Sequence, residues 1–192
     1  MAANQRGTKS GSGVSADTLR TVAAGMLPFY KAIAGSQAFA AKWSRAVVKA
    51  DLKNMHKLLS FVAPYAARQG YGTNSIGYFI SFVLPKPDGD YSNGTTIPPG
   101  TVQFTFQTHI HRQIAKAVIP FYRELAYNKP FAAALSRAIS GNDGRAVSAM
   151  IRSLVRSTAL KSVTIEQSGV ALLFKYRSSK FYYRNLLFRE FG

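Results

Sequence analysis

The sequence contains no cysteine and only eight acidic residues among 192. Without cysteine, disulfide bonds and thiolate metal sites are excluded. Enzymes that use carboxylates need them in clusters, but Asp17, Asp51 and Asp143 are each placed to cap a predicted helix. The sequence therefore predicts no catalytic, cofactor-binding or metal site, no cofactor, and a protein that is not an enzyme.

Long apolar runs are also missing. No stretch approaches the roughly 20 apolar residues of a membrane-spanning helix, and residues 1–15 are polar where a secretory signal would be apolar. We therefore expect a chain made in the cytoplasm, without a signal peptide or a membrane span. Residues 1–15 have the Gly, Ser and basic composition of a flexible basic N-terminal arm.

Two patterns partly match metal sites. His109 and His111 would share one face of a strand, but His56 is the only other histidine. Asp88 and Asp90 have part of the spacing of a calcium loop, but the glycine and the final glutamate of such a loop are not in place. A solvated or hydrogen-bonded histidine pair and a surface loop are the better interpretations.

The most informative feature is repetition at an interval of 92 residues. Residues 28–46 and 120–138 are identical at ten of nineteen positions without a gap. The conserved spacing predicts a tandem duplication, with residues 16–110 as repeat one and residues 111–192 as repeat two. The repeat signature consists of Pro28, Phe29, Tyr30 and Phe39, matched by Pro120, Phe121, Tyr122 and Phe131.

Each repeat is predicted to contain three helices followed by two or three strands. Apolar residues recur at helical spacing over residues 17–34, and Ser36 and Asp51 cap the next two helices. Asn128 and Asn142 or Asp143 are the corresponding caps in repeat two. The period then changes to two, which predicts strands over residues 76–84, 101–110, 162–166, 170–176 and 181–191. The Pro- and Gly-rich stretch 85–100 is predicted as a loop.

This pattern predicts an α+β fold in which the antiparallel strands of both repeats form one sheet. Duplicated units of this kind pack as a single body with a pseudo-twofold axis. The strand over residues 76–84 is apolar at nearly every position, which predicts that both of its faces are covered. The C-terminal strand, ending at Phe191, is expected to offer a pairing edge to another molecule.

Charge is the second distinctive feature, since 25 Lys and Arg give a formal net charge of +17. Such a surface attracts nucleic acid, acidic glycans or acidic proteins. Basic and aromatic residues interleaved on a sheet are typical of single-stranded nucleic-acid binders; alternatively, the aromatic side chains fill the core and the charges are solvated. The candidate polyanion or partner contacts are Arg145, Arg152, Arg156, Lys175, Arg177, Lys180, Tyr182 and Arg184.

A basic, tyrosine-rich, cysteine-free chain with a doubled α+β layout resembles the small structural proteins of bacterial spore surfaces and crystalline parasporal bodies. The resemblance rests on composition and layout over residues 17–192 and includes no diagnostic motif. It implies a structural protein whose partner is itself, in a homo-oligomer, crystal, coat or lattice, at the spore surface or in an intracellular inclusion. The alternative is a nucleic-acid-packaging or capsid-like protein whose +17 surface meets phosphate.

Overall fold

The computed structural model describes residues 13–190. This range contains seven helices and six strands, which confirms the α+β class. The elements of the first half are α1 (Ala16–Gly35), α2 (Gln37–Val48), α3 (Leu52–Val62), α4 (Pro64–Ala67), β1 (Gly70–Thr73), β2 (Gly77–Phe82) and β3 (Tyr91–Thr96). Those of the second half are α5 (Thr108–Tyr127), α6 (Lys129–Ser140), α7 (Gly144–Leu154), β4 (Leu160–Glu166), β5 (Gly169–Lys175) and β6 (Tyr182–Arg189).

Side-chain caps define where the middle helices begin. The Ser36 hydroxyl accepts a hydrogen bond from the backbone N–H of Phe39 at 3.1 Å, so α2 begins at the next residue. The carboxylate of Asp51 caps α3 in the same way, and Asn128 and Asp143 cap α6 and α7. Each cap satisfies a backbone donor that the first turn leaves free. The predicted caps of these three helices and of α2 are confirmed, but Asp17 does not cap α1: Ser15 does, and Asp17 lies in the first turn, paired with Arg20.

The six strands form one antiparallel sheet in the order β1-β2-β3-β6-β5-β4. Pairing between β3 and β6 joins the two halves at the centre of the sheet, and β1 and β4 are its edges. Because β6 pairs on both sides, the prediction that the C-terminal strand offers a pairing edge is wrong. Phe191 itself lies outside the described residues.

The predicted strand over residues 101–110 is wrong. Residues 101–107 are irregular, and α5 begins at Thr108, so the predicted repeat boundary between residues 110 and 111 falls inside a helix. Of the alternating residues Val102, Phe104 and Phe106, the first packs against the core while partly buried and only the last is buried. Phe106 is buried against neighbouring rings, while Phe104 is 68% exposed and has a φ of 51°.

Strand β3 lies in the stretch that the sequence predicts as a loop. Its residues, Tyr91–Thr96, are all buried at the centre of the sheet. At Gly94, an added Cβ would lie 1.9 Å from the Tyr78 carbonyl oxygen, so only glycine fits this close approach of two strands. The Asn-Gly pair therefore serves strand packing rather than a turn.

The helices pack on one face of the sheet, with the most extensive helix contact between α1 and α5. Both helices continue through an internal proline, Pro28 or Pro120. The rings of Phe29 and Trp43 lie 4.6 Å apart, and that of Tyr78 from β2 completes an aromatic centre of the core. None of the helices within residues 13–190 is both long and apolar enough to cross a membrane.

Residues 13–15, which the sequence assigns to a flexible arm, pack against the body. Val14 is buried, and its carbonyl oxygen accepts a hydrogen bond of 2.6 Å from the Ser136 hydroxyl. Ser15 caps α1 with its side chain, and its N–H donates to Asp88 at 2.9 Å. The rest of the predicted arm, residues 1–12, lies outside the described residues.

Candidate interaction surfaces

Two tyrosines and two asparagines form a closed hydrogen-bond network between the helices and the centre of the sheet. The Tyr30 hydroxyl donates to Asn93 Oδ1 at 2.6 Å and accepts from Asn185 Nδ2 at 2.9 Å. The Tyr122 hydroxyl donates to Asn185 Oδ1 at 2.8 Å and accepts from Asn93 Nδ2 at 2.6 Å. Each buried amide is thereby satisfied, which tethers α1 and α5 to β3 and β6.

This network is closed off from solvent. Both asparagines and Tyr30 are completely buried, and Tyr122 is nearly so. Burial raises the pKa of Tyr30 to about 12 and that of Tyr122 well above its ordinary value. The phenols therefore stay protonated and keep donating at neutral pH.

The two histidines considered as a metal pair do not form one. Both lie in α5, where residues two apart point to different sides. His109 is exposed, whereas His111 is fully buried and shares a 2.8 Å hydrogen bond with the Tyr78 hydroxyl. Within residues 13–190, no group of three or more His, Asp or Glu side chains is placed to hold a metal ion.

Asp88, considered for a calcium loop, instead holds the start of α1. Its carboxylate accepts from the Thr18 hydroxyl at 2.6 Å and from the Ser15 N–H, and Arg189 lies 3.8 Å away. Burial alone would raise the pKa of Asp88, but these hydrogen bonds and the Arg189 charge outweigh it and hold the pKa below its ordinary value. The carboxylate is therefore a structural tie.

The face of the sheet opposite the helices, here called the outer face, carries a second apolar cluster. Cross-strand pairing places five apolar side chains there, and none of them belongs to the core that the helices cover. Three of the five are half-buried and two are nearly inaccessible. The cluster consists of Phe79, Ala171, Leu173, Leu186 and Phe188.

Two aromatic rings meet at the middle of the outer face. The centroids of Phe79 and Phe188 lie 6.1 Å apart, although β3 separates their two strands. Gly94, the direct partner of Phe79 on β3, has no side chain, and Ser92 has a small one, so the rings can approach across that strand. This cluster could not be predicted from the sequence because its members come from three strands that only the fold brings together.

The charges on the outer face are nearly balanced, unlike those of the chain as a whole. Arg184 pairs with Glu166, and the Glu190 carboxylate accepts a hydrogen bond from Ser92. Alternation also places Lys175 on this face, and Asp90, which stands opposite Glu190 where the β3–β6 pairing ends, so the face carries groups of both signs. Tyr182, 47% exposed, lies beside Lys175, whose Nζ is 6.0 Å from the centre of its ring.

A groove of about 950 Å³ lies between α5 and the adjoining ends of β4 and β5; we call it the second-half groove. Five basic residues and no acidic residue line it: Lys116, Arg156, Lys161, Lys175 and Arg177. Three of these, Arg156, Lys175 and Arg177, are candidate contacts from the sequence. Lys161 stands in the same basic stretch of sequence, whereas Lys116 lies on a helix 40 residues before Arg156 and only the fold brings it here.

The other candidate contacts have different environments. The Arg152 guanidinium donates to the carbonyl oxygens of Leu160 and Lys161, at 3.4 and 3.0 Å, and so ties α7 to β4. Arg184 is held by Glu166 on the outer face. Arg145 and Lys180 are exposed and do not line the second-half groove.

A groove of about 740 Å³ in the first half is also basic. Lys42, Arg45, Lys49 and Lys57 line it together with Asp51. Unlike the second-half groove, it therefore contains a carboxylate of its own, and Phe61, 86% exposed, lies at its margin. Its charge is thus partly neutralised by the protein itself.

No protein-family model, curated protein or solved structure matches this chain.

Proposed function

We propose that this chain is a non-enzymatic structural protein that assembles with copies of itself through the outer face of its sheet. The observation that carries the proposal is the apolar cluster of Phe79, Leu173 and Phe188, half-buried and outside the core. Open antiparallel sheets normally present polar side chains on the face that the core does not cover. An apolar centre with a polar rim is instead the composition of a protein interface.

Charge favours the same surface. With a net charge of +17, copies of the chain repel one another over most orientations. On the outer face, Arg184 and Lys175 are offset by Glu166 and Glu190. Two copies can therefore approach with these faces opposed at little electrostatic cost. The two sheets would then stack about 10 Å apart, as in a β-sandwich.

We further infer that the two halves arose by tandem duplication and form one pseudo-twofold body. In support, α5 to α7 match α1 to α3 in length, and each begins 92 residues after its counterpart. The left-handed residues before α3 and α7, Ala50 and Asn142, have φ values of 51° and 53° and are also 92 apart. In the sheet order β1-β2-β3-β6-β5-β4, each strand of the first half has its counterpart at the same distance from the opposite edge: β1 and β4, β2 and β5, β3 and β6.

The central network supports the same inference. Tyr122 follows Tyr30 by 92 residues, and Asn185 follows Asn93 by 92 residues. The hydrogen bond from Tyr30 to Asn93 corresponds to the one from Tyr122 to Asn185. The bond from Asn185 to Tyr30 likewise corresponds to the one from Asn93 to Tyr122. Such a body joins two equivalent units at the β3–β6 seam and leaves a single continuous outer face for assembly.

Hydroxyl-radical footprinting read by mass spectrometry tests the assembly surface. Protein freed of nucleic acid by nuclease and high salt is oxidised at low and at high concentration. If copies associate through the outer face, oxidation of Phe79 and Phe188 decreases as concentration rises. Phe61 and Phe104, 86% and 68% exposed and outside that face, serve as internal controls and keep their reactivity.

Two results would contradict the proposal. Equal oxidation of Phe79 and Phe188 at every concentration would show that the outer face is not covered. Protection of Phe61 in their place would move the contact to the helical side of the molecule.

A further inference from the structure

We propose that the second-half groove binds the phosphate backbone of single-stranded nucleic acid. This activity goes beyond self-assembly, and the groove adjoins the outer face, since Lys175 belongs to both surfaces. Lys116 lines the groove from α5, Arg156 from the segment before β4, Lys161 from the start of β4, Lys175 from the last position of β5, and Arg177 from the turn that follows β5. Five cations therefore converge on one concavity with no carboxylate in its lining.

The first half does not repeat this charge. The residues that precede the five cations by 92 positions are all uncharged: Ala24, Pro64, Gln69, Val83 and Pro85. In the first half, α4 brings the Tyr65 ring over Phe82 and Gly25, with ring centroids 6.0 Å apart. Ser157 stands 92 residues after Tyr65 and lines the second-half groove instead. The groove and its charge are therefore features of the second half alone.

Clustered like charges do not stabilise the fold. Arg156, Lys161 and Arg177 are exposed, and like charges gathered around one concavity repel one another. Lys175 also donates to the carbonyl oxygens of Tyr176 and Ser179, but the first half has an uncharged residue at each of the five matching positions. A polyanion bound in the groove would neutralise this repulsion. Polyanion binding therefore explains physically why the cations are clustered.

The lining favours a single strand. A volume of about 950 Å³ fits a flexible segment of a few nucleotides, whereas a duplex is a stiff rod with its phosphates on the outside. Tyr176 lines the groove, with its half-buried ring stacked on Phe174. Ser157 and Gln113 add neutral hydrogen-bonding groups. Basic side chains with an aromatic ring are the usual means of holding single strands.

The test is fluorescence anisotropy of a labelled oligothymidylate of about ten nucleotides, with a double variant and a matched control. The test variant carries Lys161→Gln and Arg177→Gln in the groove. The control carries Lys31→Gln and Arg123→Gln, which are exposed, lie outside the lining of the groove and lower the net charge equally. Unfolding in urea is measured for both variants.

Losing two phosphate contacts should lower the slope of log K against log salt by about 1.4, since each contact contributes about 0.7 on a single strand. At about 0.1 M salt this corresponds to roughly 25-fold weaker binding. The control should bind within about threefold of the unchanged chain. The groove variant should be no less stable than the unchanged chain, because it removes repulsion.

Three outcomes would overturn the proposal. Equal losses in both variants would show that binding follows net charge alone. A duplex of the same sequence that binds more tightly than the single strand would place the interaction elsewhere. Polyglutamate of equal charge that competes as well as the oligonucleotide would show a site for an acidic chain and not for nucleic acid.

Discussion

Lowering the pH should destabilise the fold through one buried side chain, His111. It is fully buried among the rings of Phe29, Tyr78 and Phe106, and its Nδ1 has no hydrogen-bond partner among the described residues. Burial lowers the pKa of His111 to about 3. In the unfolded chain, a histidine has a pKa of about 6.5.

The sign of the effect follows from proton binding. Between about pH 3 and pH 6.5, the unfolded chain binds a proton at His111 and the native chain does not, so acid favours unfolding. The free energy of unfolding is therefore unaffected by this group above about pH 6.5 and falls by about 1.4 kcal/mol for each pH unit below it. Between pH 7 and pH 5 the expected loss is about 2 kcal/mol.

Urea unfolding at several values between pH 5 and pH 7 measures this slope, with His111→Leu as the control. Leu19, which lies 92 residues earlier, is also fully buried and shows that a leucine suits this helical position. The slope is the readout, because the variant also removes the hydrogen bond to Tyr78 and so changes absolute stability. The predicted role of His111 would be refuted if the free energy of unfolding of the unchanged chain were constant between pH 5 and pH 7. It would also be refuted if that of His111→Leu changed with pH at the same slope as the unchanged chain.

Two further predictions concern the centre of the sheet. Tyr30→Phe and Tyr122→Phe should each lower the free energy of unfolding by about 1–3 kcal/mol, since each leaves a buried asparagine oxygen without its donor. Costs that differ by more than about 1 kcal/mol in urea unfolding would argue against equivalent halves. Gly94→Ala should destabilise strongly, because its Cβ would lie 1.9 Å from a backbone oxygen, whereas Gly72→Ala meets nothing within 4 Å. Similar melting temperatures for the two glycine variants would contradict this.

Helices could be predicted from the sequence because their signals are local. Ser36 and Asp51 stand immediately before apolar residues at helical spacing, and a cap acts only on the turn that follows it. The same local signals recur 92 residues later, so the second set of helices could be predicted from the first. The strands of the second half were also predicted to within a few residues.

Strand β3 could not be predicted because its stability comes from distant residues. Its sequence, Tyr91–Thr96, is polar and contains Asn-Gly, which locally favours a turn. Asn93 can be buried only because Tyr30 and Tyr122, on two helices, satisfy its amide. Residues 101–107 show the reverse case, since they alternate like a strand but have no neighbouring strand to pair with in the described chain.

The candidate surfaces were predictable only in part. Arg156, Lys175 and Arg177 were identified by their density in the sequence, but Lys116 joins them only through the packing of α5. Phe79 gave no signal of its own, because a strand that is apolar on both faces does not reveal which face the helices cover. The outer face became visible once the pairing register assigned each residue to a side.

The oligomeric state of the full chain tests self-assembly through the outer face most directly. Sedimentation velocity is run on nucleic-acid-free protein over a range of concentrations, for the unchanged chain, Leu173→Lys and Phe61→Lys. Leu173 lies outside the core, so its variant should keep the fold, which circular dichroism verifies. If copies assemble through the outer face, the unchanged chain and Phe61→Lys form oligomers, and Leu173→Lys sediments as a 21.0 kDa monomer. A monomeric unchanged chain at every concentration, or assembly undiminished by Leu173→Lys, would contradict assembly through the outer face.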